Sequence, residues 1–121
     1  MAYDESNIFA RILRGEIPAD RVYEDEHALA FHDIGPQAPV HVLVIPKGAY
    51  VSMADFGANA PPELVTGFFR AVARVAHDLG LEEGGYRVLA NHGADAGQEV
   101  PHFHVHVCGG GPLGRLIARG G

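Results

Sequence analysis

The stretch PHFHVHV, residues 101–107, alternates histidines with apolar residues. Side chains alternate between the two faces of a β-strand, so this period of two predicts one face with three histidines and one apolar face. Three imidazoles in a row make a poor core, because each ring carries two nitrogens that need partners. Histidine changes its protonation state near neutral pH. The stretch therefore predicts a strand with a reaction centre on one face and core on the other.

Two other interpretations of the histidine row stay open. A single histidine on a strand is usually structural, although three in phase weaken that interpretation. Metal binding is the stronger rival, because imidazole suits zinc or copper. Histidines adjacent on one face lie ~6.5–7 Å apart and three span ~13 Å, which fits poorly around one tetrahedral ion with bonds of about 2 Å. We therefore predict neither a metal site nor another cofactor.

A polar loop with glycines precedes the row. Residues 91–100 read NHGADAGQEV. Gly93 and Gly97 permit a tight backbone path, whose N–H groups can hold phosphate oxygens. Asn91 and Gln98 add side-chain amides that can donate to the same oxygens. Alone, the segment is typical of a hairpin loop, but its position directly before the histidines predicts an anion pocket.

Hydrophobic periodicity predicts a single α+β domain over residues 1–121. A short helix at residues 8–13, capped by Asp4 or Ser6, ends at Gly15. A long helix begins at Pro61 and ends at Gly80. Five mostly antiparallel strands are expected at residues 21–24, 28–32, 40–45, 86–91 and 102–108.

Composition narrows the classes of function. The formal net charge of −6 argues against a general nucleic-acid binder, which would carry a basic face. The chain has one cysteine, Cys108, so it cannot form an intramolecular disulfide. No apolar run approaches ~20 residues, and the acidic N-terminus is unlike a signal peptide. We therefore expect a cytoplasmic protein without a membrane partner.

Several blocks of the chain resemble the histidine triad (HIT) family of nucleotide hydrolases and transferases. HFHVHVC at residues 102–108 matches the family's signature, and residues 7–19, 30–47 and 97–100 look like its Hint branch. Gly109-Gly110 favours that branch over the dinucleoside-polyphosphate hydrolases, which usually carry Pro-Arg there. The tail at residues 111–121 lacks the aromatic ending of some Hint proteins. The resemblance implies the HIT-like fold, with one long and one short helix, and a homodimer whose sheet continues across both subunits.

The same resemblance implies a purine nucleoside phosphoramidase, which splits the P–N bond of an adenosine 5′-phosphoramidate through a nucleotidyl-histidine intermediate. His104 would be the nucleophile and His106 would contact the phosphate and the leaving group. His102 and His41 would orient groups or relay protons. Chemistry alone agrees, because a neutral imidazole has a lone pair for attack and a neighbouring one can supply a proton. A dinucleoside-polyphosphate hydrolase, a metal-binding protein and a nucleotide-binding regulatory module with negligible turnover stay open as alternatives.

The substrate implied by the resemblance is a purine nucleotide similar to adenosine monophosphate. Asp33 would accept hydrogen bonds from ribose hydroxyls, since an ionised carboxylate is only an acceptor. Glu99 departs from the hydroxyl residue that is common at its position, and a carboxylate beside phosphate is repulsive unless it turns away. Ile12 and Ile17 would fit the core equally well. The other residues expected around the base and the phosphate are Ile8, Phe9, Phe31, His32, Ile34, Asn91, Gly97, Gln98 and Val100.

Overall fold

The computed structural model describes residues 2–115, so the tail from residue 116 onward lies outside the described residues. Five strands and three α-helices are found in this range, together with one 3-10 turn at Ala94–Ala96. In chain order the elements are α1 (Ile8–Leu13), β1 (Arg21–Glu24), β2 (Ala28–His32), β3 (Val40–Pro46), α2 (Met53–Asn59), α3 (Pro62–Asp78), β4 (Tyr86–Leu89) and β5 (Val105–Gly109).

The strands form one sheet in the order β1-β2-β3-β5-β4, and every neighbouring pair is antiparallel. The α+β class and the five antiparallel strands predicted from the sequence are confirmed. That residues 1–121 make up one domain stays a prediction. Among residues 2–115, no helix is both long and apolar enough to cross a membrane.

The helices differ from the prediction in two details. Helix α2 is additional, and its first turn is capped by Ser52, whose hydroxyl accepts from the Asp55 N–H. Its seven residues include Gly57 and are too few to give a clear helical period. The cap of α1 is Asn7 rather than Asp4 or Ser6, because the Asn7 side chain accepts from the Ala10 N–H at 2.9 Å.

Two strand boundaries also differ. The expected strand at residues 102–108 begins only at Val105, and the one expected to reach residue 91 ends at Leu89. Before Val105 the backbone bonds elsewhere: the His102 N–H donates to the Val100 carbonyl and the Phe103 N–H to the Tyr50 carbonyl. Residues 102 and 104 therefore lie outside the ladder of hydrogen bonds that aligns the sheet.

One face of the sheet carries most of the core. Val42 and Val44 of β3 and Val105 and Val107 of β5 are buried there beneath helix α3. Phe103 continues this alternation and stacks on Phe56 of α2 with ring centroids 4.9 Å apart. The predicted apolar side of the histidine stretch is thus confirmed as core.

Helix α1 covers part of the opposite face. Phe9 and Ile12 of this helix pack on Phe31, Leu43 and Ile45 in a second, smaller cluster. Six residues of helix extend only ~9 Å at 1.5 Å per residue, so α1 cannot cover the whole face. The cavity described next lies beside it.

Candidate active site

A cavity of about 810 Å³ opens on the α1 side of the sheet, within the size range of small-molecule sites. Its walls come from α1, the ends of β2 and β3, and the loop before β5. Of the residues that the sequence assigned to the site, all line the cavity except His102 and the loop glycine Gly93. Those that line it are Ile8, Phe9, Ile12, Ile17, Phe31, His32, Asp33, Ile34, His41, Asn91, Gly97, Gln98, Glu99, Val100, His104 and His106.

The register of β3 and β5 brings His41 and His106 together. His106 pairs with Leu43, two residues from His41, so both imidazoles face the cavity side of the sheet. Their Nε2 and Nδ1 atoms, respectively, lie 2.9 Å apart. The backbone N–H of Gln37 donates to Nδ1 of His41 at 3.0 Å, so in neutral His41 the proton sits on Nε2. His41 therefore donates to Nδ1 of His106.

This hydrogen bond fixes the tautomer of His106. Because Nδ1 accepts, the proton of a neutral His106 ring sits on Nε2. The Nε2 atom is buried and has no hydrogen-bond partner among the residues that the structure describes. Burial, together with the neighbouring His104 and His41, lowers the pKa of His106 to about 4. The ring thus presents an unused N–H in a cavity-lining position.

His104 has the complementary tautomer. Its Nδ1 lies 2.7 Å from the backbone carbonyl of His102, which can only accept, so Nδ1 carries the proton. The lone pair is consequently on Nε2. Burial lowers the pKa of His104, and the edge-on ring of Phe9, 4.9 Å away between centroids, helps to exclude water. His104 therefore stays neutral at pH 7 and keeps a free lone pair.

His102 lies behind the cavity rather than in its wall. The side chain has no exposed surface, and its Nε2 donates to the Pro46 carbonyl at 3.2 Å. Its Nδ1 lies 2.6 Å from the Tyr3 hydroxyl, and burial lowers the pKa of His102 to about 4. The alternation nevertheless continues through this residue, because Phe9 of α1 packs edge-on against both His102 and His104, with ring centroids 6.3 and 4.9 Å away. The predicted strand itself is shorter, since β5 begins only at Val105.

The loop before β5 is held by the Gln98 side chain. Its Oε1 accepts from the Gly93 N–H at 3.0 Å, and its Nε2 donates to the carbonyls of Val51 and Val100 at 2.8 and 3.2 Å. Gly93 and Gly97 have φ values of 76° and 72°, which favour glycine. Both N–H groups of the Gln98 amide thus donate to backbone carbonyls, so this amide is not free to donate to phosphate as the sequence suggested. The glycines give the loop its tight path.

Three carboxylates, Asp20, Asp33 and Glu99, line the cavity, and none of the described lining residues is Lys or Arg. Asp33 is oriented by the Gly35 N–H, which donates to Oδ1 at 2.7 Å. Its Oδ2 lies 3.5 Å from Nε2 of His41. Glu99 is exposed at the loop and lines the cavity, so its carboxylate adds negative charge at the cavity entrance.

Sequence reasoning missed some of the lining. The role of Gln37 depends on its backbone N–H, which no side-chain pattern reveals. Leu43 could have been found, because it follows His41 by two residues on the same strand. Tyr3 and Pro46 contact His102 from outside the cavity and carried no signal. The other lining residues that were not assigned to the site are Pro18, Ala19, Asp20 and Gly35.

One group of side chains could hold a metal ion. Asp33, His41 and His106 each offer a ligand atom, and these atoms all lie within 4.8 Å of one another. The group differs from the in-line row considered from the sequence, because only one member of that row belongs to it.

Comparison with known proteins gives consistent matches over most of the chain. The HIT domain family model matches residues 14–113. An uncharacterized 13.2 kDa HIT-like protein of Azospirillum brasilense is 62% identical over 98% of this chain and 97% of its own length. The purine nucleoside phosphoramidase of Escherichia coli is 42% identical over 97% of this chain and 98% of its own. A HIT family hydrolase structure from Clostridium thermocellum, 40% identical, superposes with a TM-score of 0.85, covering 95% of this chain and 99% of that one.

Proposed function

This chain belongs to the HIT family, and we propose that it is a nucleotide hydrolase that cleaves the P–N bond of adenosine 5′-phosphoramidate-type substrates. The observation that carries the proposal is the pair of complementary tautomers in one cavity. His104 has a lone pair on Nε2, and His106 has an N–H on Nε2. A nucleophile and a proton donor of matched chemistry are what hydrolysis at phosphorus through a covalent intermediate requires.

The reaction proceeds in two steps, formation and hydrolysis of the nucleotidyl-histidine. First, Nε2 of His104 forms a bond to the α-phosphorus and the P–N bond breaks. The departing nitrogen takes the proton from Nε2 of His106, while Nε2 of His41 passes its proton to Nδ1 of His106. The histidine pair is then one proton short, and the nucleotidyl-His104 ring carries the matching positive charge. Next, water attacks the phosphorus, the P–N bond to His104 breaks, and the proton of the water returns to the histidine pair. The products are adenosine monophosphate and a free amine.

Binding of the nucleotide is assigned to the rest of the cavity. Phe31, Ile8 and the fully exposed Ile34 form an apolar wall for the purine base. Asp33 is oriented by Gly35, which leaves Oδ2 as an acceptor for a ribose hydroxyl. In the loop before β5, the N–H groups of Gly93, Gly97 and Gln98 are already bonded within the loop, so the phosphate is assigned to the backbone N–H of Glu99, which lines the cavity.

The charge of the cavity favours this reaction over hydrolysis of a dinucleoside polyphosphate. A polyphosphate leaving group brings additional negative charge, and the described lining offers three carboxylates and no Lys or Arg to meet it. An amine leaving group brings no negative charge. The carboxylate of Glu99 is therefore expected to discriminate between the two substrate classes.

Turnover of two substrates tests the proposal. We expect kcat/KM for adenosine 5′-phosphoramidate to exceed that for diadenosine triphosphate. We expect Glu99→Gln to raise the value for diadenosine triphosphate, whereas Glu83→Gln, the same loss of charge at an exposed residue outside the cavity lining, should not. A covalent nucleotidyl adduct should form on His104 when a slow substrate is quenched with base. Preference for diadenosine triphosphate, or an adduct on His106, would contradict these assignments.

Metal binding is the second candidate function, and the cluster of Asp33, His41 and His106 is the observation that favours it. A metal ion there would have to replace the proton shared between His41 and His106. The proposed reaction needs this proton, so we expect activity to survive exhaustive treatment with EDTA. Activity lost on chelation and restored by one equivalent of zinc would make metal chemistry the better assignment.

We assign a homodimer to the β4 edge of the sheet. Strand β4 is an edge strand, and its Tyr86 and Val88 side chains are 40% and 41% exposed. An exposed apolar edge favours pairing with a second copy, which would continue the sheet. Light scattering after size exclusion should give a dimer, and Val88→Glu should weaken it. A cytoplasmic location stays a prediction from the sequence.

A further inference from the structure

Tyr3 contacts the histidine triad from outside the cavity. Its hydroxyl lies 2.6 Å from Nδ1 of His102, and the two rings meet edge to face with centroids 5.6 Å apart. The direction of this hydrogen bond follows from the partner of the other ring nitrogen of His102, Nε2. Nε2 of His102 faces the Pro46 carbonyl, which only accepts, so Nδ1 holds the lone pair and Tyr3 donates. Burial raises the pKa of Tyr3, which keeps the phenol protonated as this donor.

The chain between Tyr3 and α1 forms a hydrogen-bonded turn that holds the phenol at this position. Asp4 accepts from the N–H and the hydroxyl of Ser6, and its carbonyl accepts from the backbone and side chain of Asn7. Asn7 in turn caps α1, the helix that carries Phe9 against His104. Tyr3 is therefore linked to the cavity wall through a hydrogen-bonded turn.

The contact of Tyr3 with His102 is important because residues 102–104 lie outside the ladder of hydrogen bonds between strands. The carbonyl of His102 is the acceptor that fixes the proton of His104 on Nδ1 and leaves the lone pair on Nε2. This segment is positioned by a few individual bonds, among them those of the His102 ring to Pro46 and Tyr3. Removing the phenol would leave a buried nitrogen of His102 without a partner, and such a group relaxes by moving or changing its tautomer.

We infer that Tyr3 is a positioning residue for the nucleophile: it holds the ring of His102, and through the His102 carbonyl it fixes the tautomer and the aim of His104. The inference rests on the nucleophilic role proposed for His104. Its step beyond that proposal is that a side chain in the N-terminal segment, with no contact to substrate, sets the rate of the chemical step.

Tyr3→Phe removes only the hydroxyl and tests the inference. We expect kcat to fall about 5- to 10-fold with KM unchanged, because the loss is felt in the transition state rather than in substrate binding. Tyr23→Phe is the matched control: its hydroxyl donates to Asp25 at 2.8 Å, outside the cavity lining, so kcat should stay within about twofold. In the His102→Ala background, Tyr3→Phe should have no further effect on kcat.

Nitrogen-15 NMR of the imidazoles gives a readout that does not depend on turnover. In the wild type, His102 should carry its proton on Nε2 and His104 on Nδ1, and Tyr3→Phe should shift both rings toward mixed tautomers. Unchanged ring resonances, or a kcat loss no larger than that of Tyr23→Phe, would overturn the inference. A wild-type protein without turnover but with the expected resonances would instead reject the proposed function and leave the Tyr3 contact standing.

Discussion

The two faces of the β3–β5 pair use the same short stretches of sequence for opposite purposes. On one face, Val42, Val44, Val105 and Val107 are buried under α3. On the other, His41 and His106 meet across the same two strands and line a cavity. Because side chains alternate along a strand, one residue packs in the core while the next lines the cavity.

The difference in how the two faces are covered explains why His41 and His106 can be held so close together. The apolar face is covered by a 17-residue helix, which anchors the strands, whereas the six-residue α1 covers only part of the other face. The rigidity needed to hold the imidazoles of His41 and His106 at 2.9 Å thus comes from side chains that never touch the cavity. Substitutions on one face should therefore change activity, and those on the other should change stability.

The largest expected effect is on the cavity face. His104→Asn removes the attacking nitrogen but keeps a side chain that can hydrogen bond, so the fold should persist. We expect turnover of adenosine 5′-phosphoramidate to fall at least ~10³-fold. His77→Asn, the same change at an exposed position of helix α3, should leave turnover unaffected. Near-wild-type turnover in folded His104→Asn would exclude this residue as the nucleophile.

Substitution of Phe103, the neighbour of His104 on the core face, should lower stability and leave activity largely intact. Phe103 is 3% exposed and packs on Phe56 and Phe68. Phe103→Ala should lower the free energy of unfolding by about 3–5 kcal/mol, through lost burial and a residual cavity. Urea denaturation measures the loss, and turnover per folded molecule should change far less than in His104→Asn. A stable but inactive Phe103→Ala protein would break the division between the two faces.

The sequence predicted the alternation of apolar residues and histidines in residues 102–107, but not which of these histidines reach the cavity. The period of two in residues 103–107 correctly indicated a core face, and it brought His104 and His106 to one cavity. It could not indicate that His102 is sealed from the cavity, since that depends on the rings of Tyr3 and Phe9, which pack on it from the N-terminal segment. Tyr3 was invisible for a related reason. It reaches His102 across 99 positions in the chain, and no local pattern encodes such a contact.

The pH dependence of stability should also separate the faces, because the buried histidines among residues 2–115 lie on the cavity side. Burial lowers the pKa of His102 from 6.5 to about 4. Between these values the unfolded chain binds more protons than the folded one, so stability is complete above pH 6.5 and is lost as the pH falls toward 4.

For His102 alone this loss amounts to about 3 kcal/mol. Thermal denaturation at several pH values measures this loss. His102→Asn is the control, because its residue 102 cannot take up a proton and any stability that the substitution itself removes is the same at every pH. The slope between pH 6.5 and 4 should be shallower in His102→Asn than in the wild type. Equal slopes in the two proteins would mean that His102 does not titrate in this range.

The smallest expected effect concerns the rim of the cavity, where Asp33 is oriented by the Gly35 N–H. Asp33→Asn can keep this Oδ1 contact but loses the charge that would accept a ribose hydroxyl. A hydrogen bond to a charged group contributes ~1.5–3 kcal/mol, so affinity for adenosine monophosphate should drop about ten- to a hundredfold. Calorimetry with the 2′,3′-dideoxy nucleotide should give a much smaller loss, because that ligand cannot make the bond. Equal losses for both ligands would mean that Asp33 acts on the histidine face as a whole, through His41 at 3.5 Å, and not on the sugar.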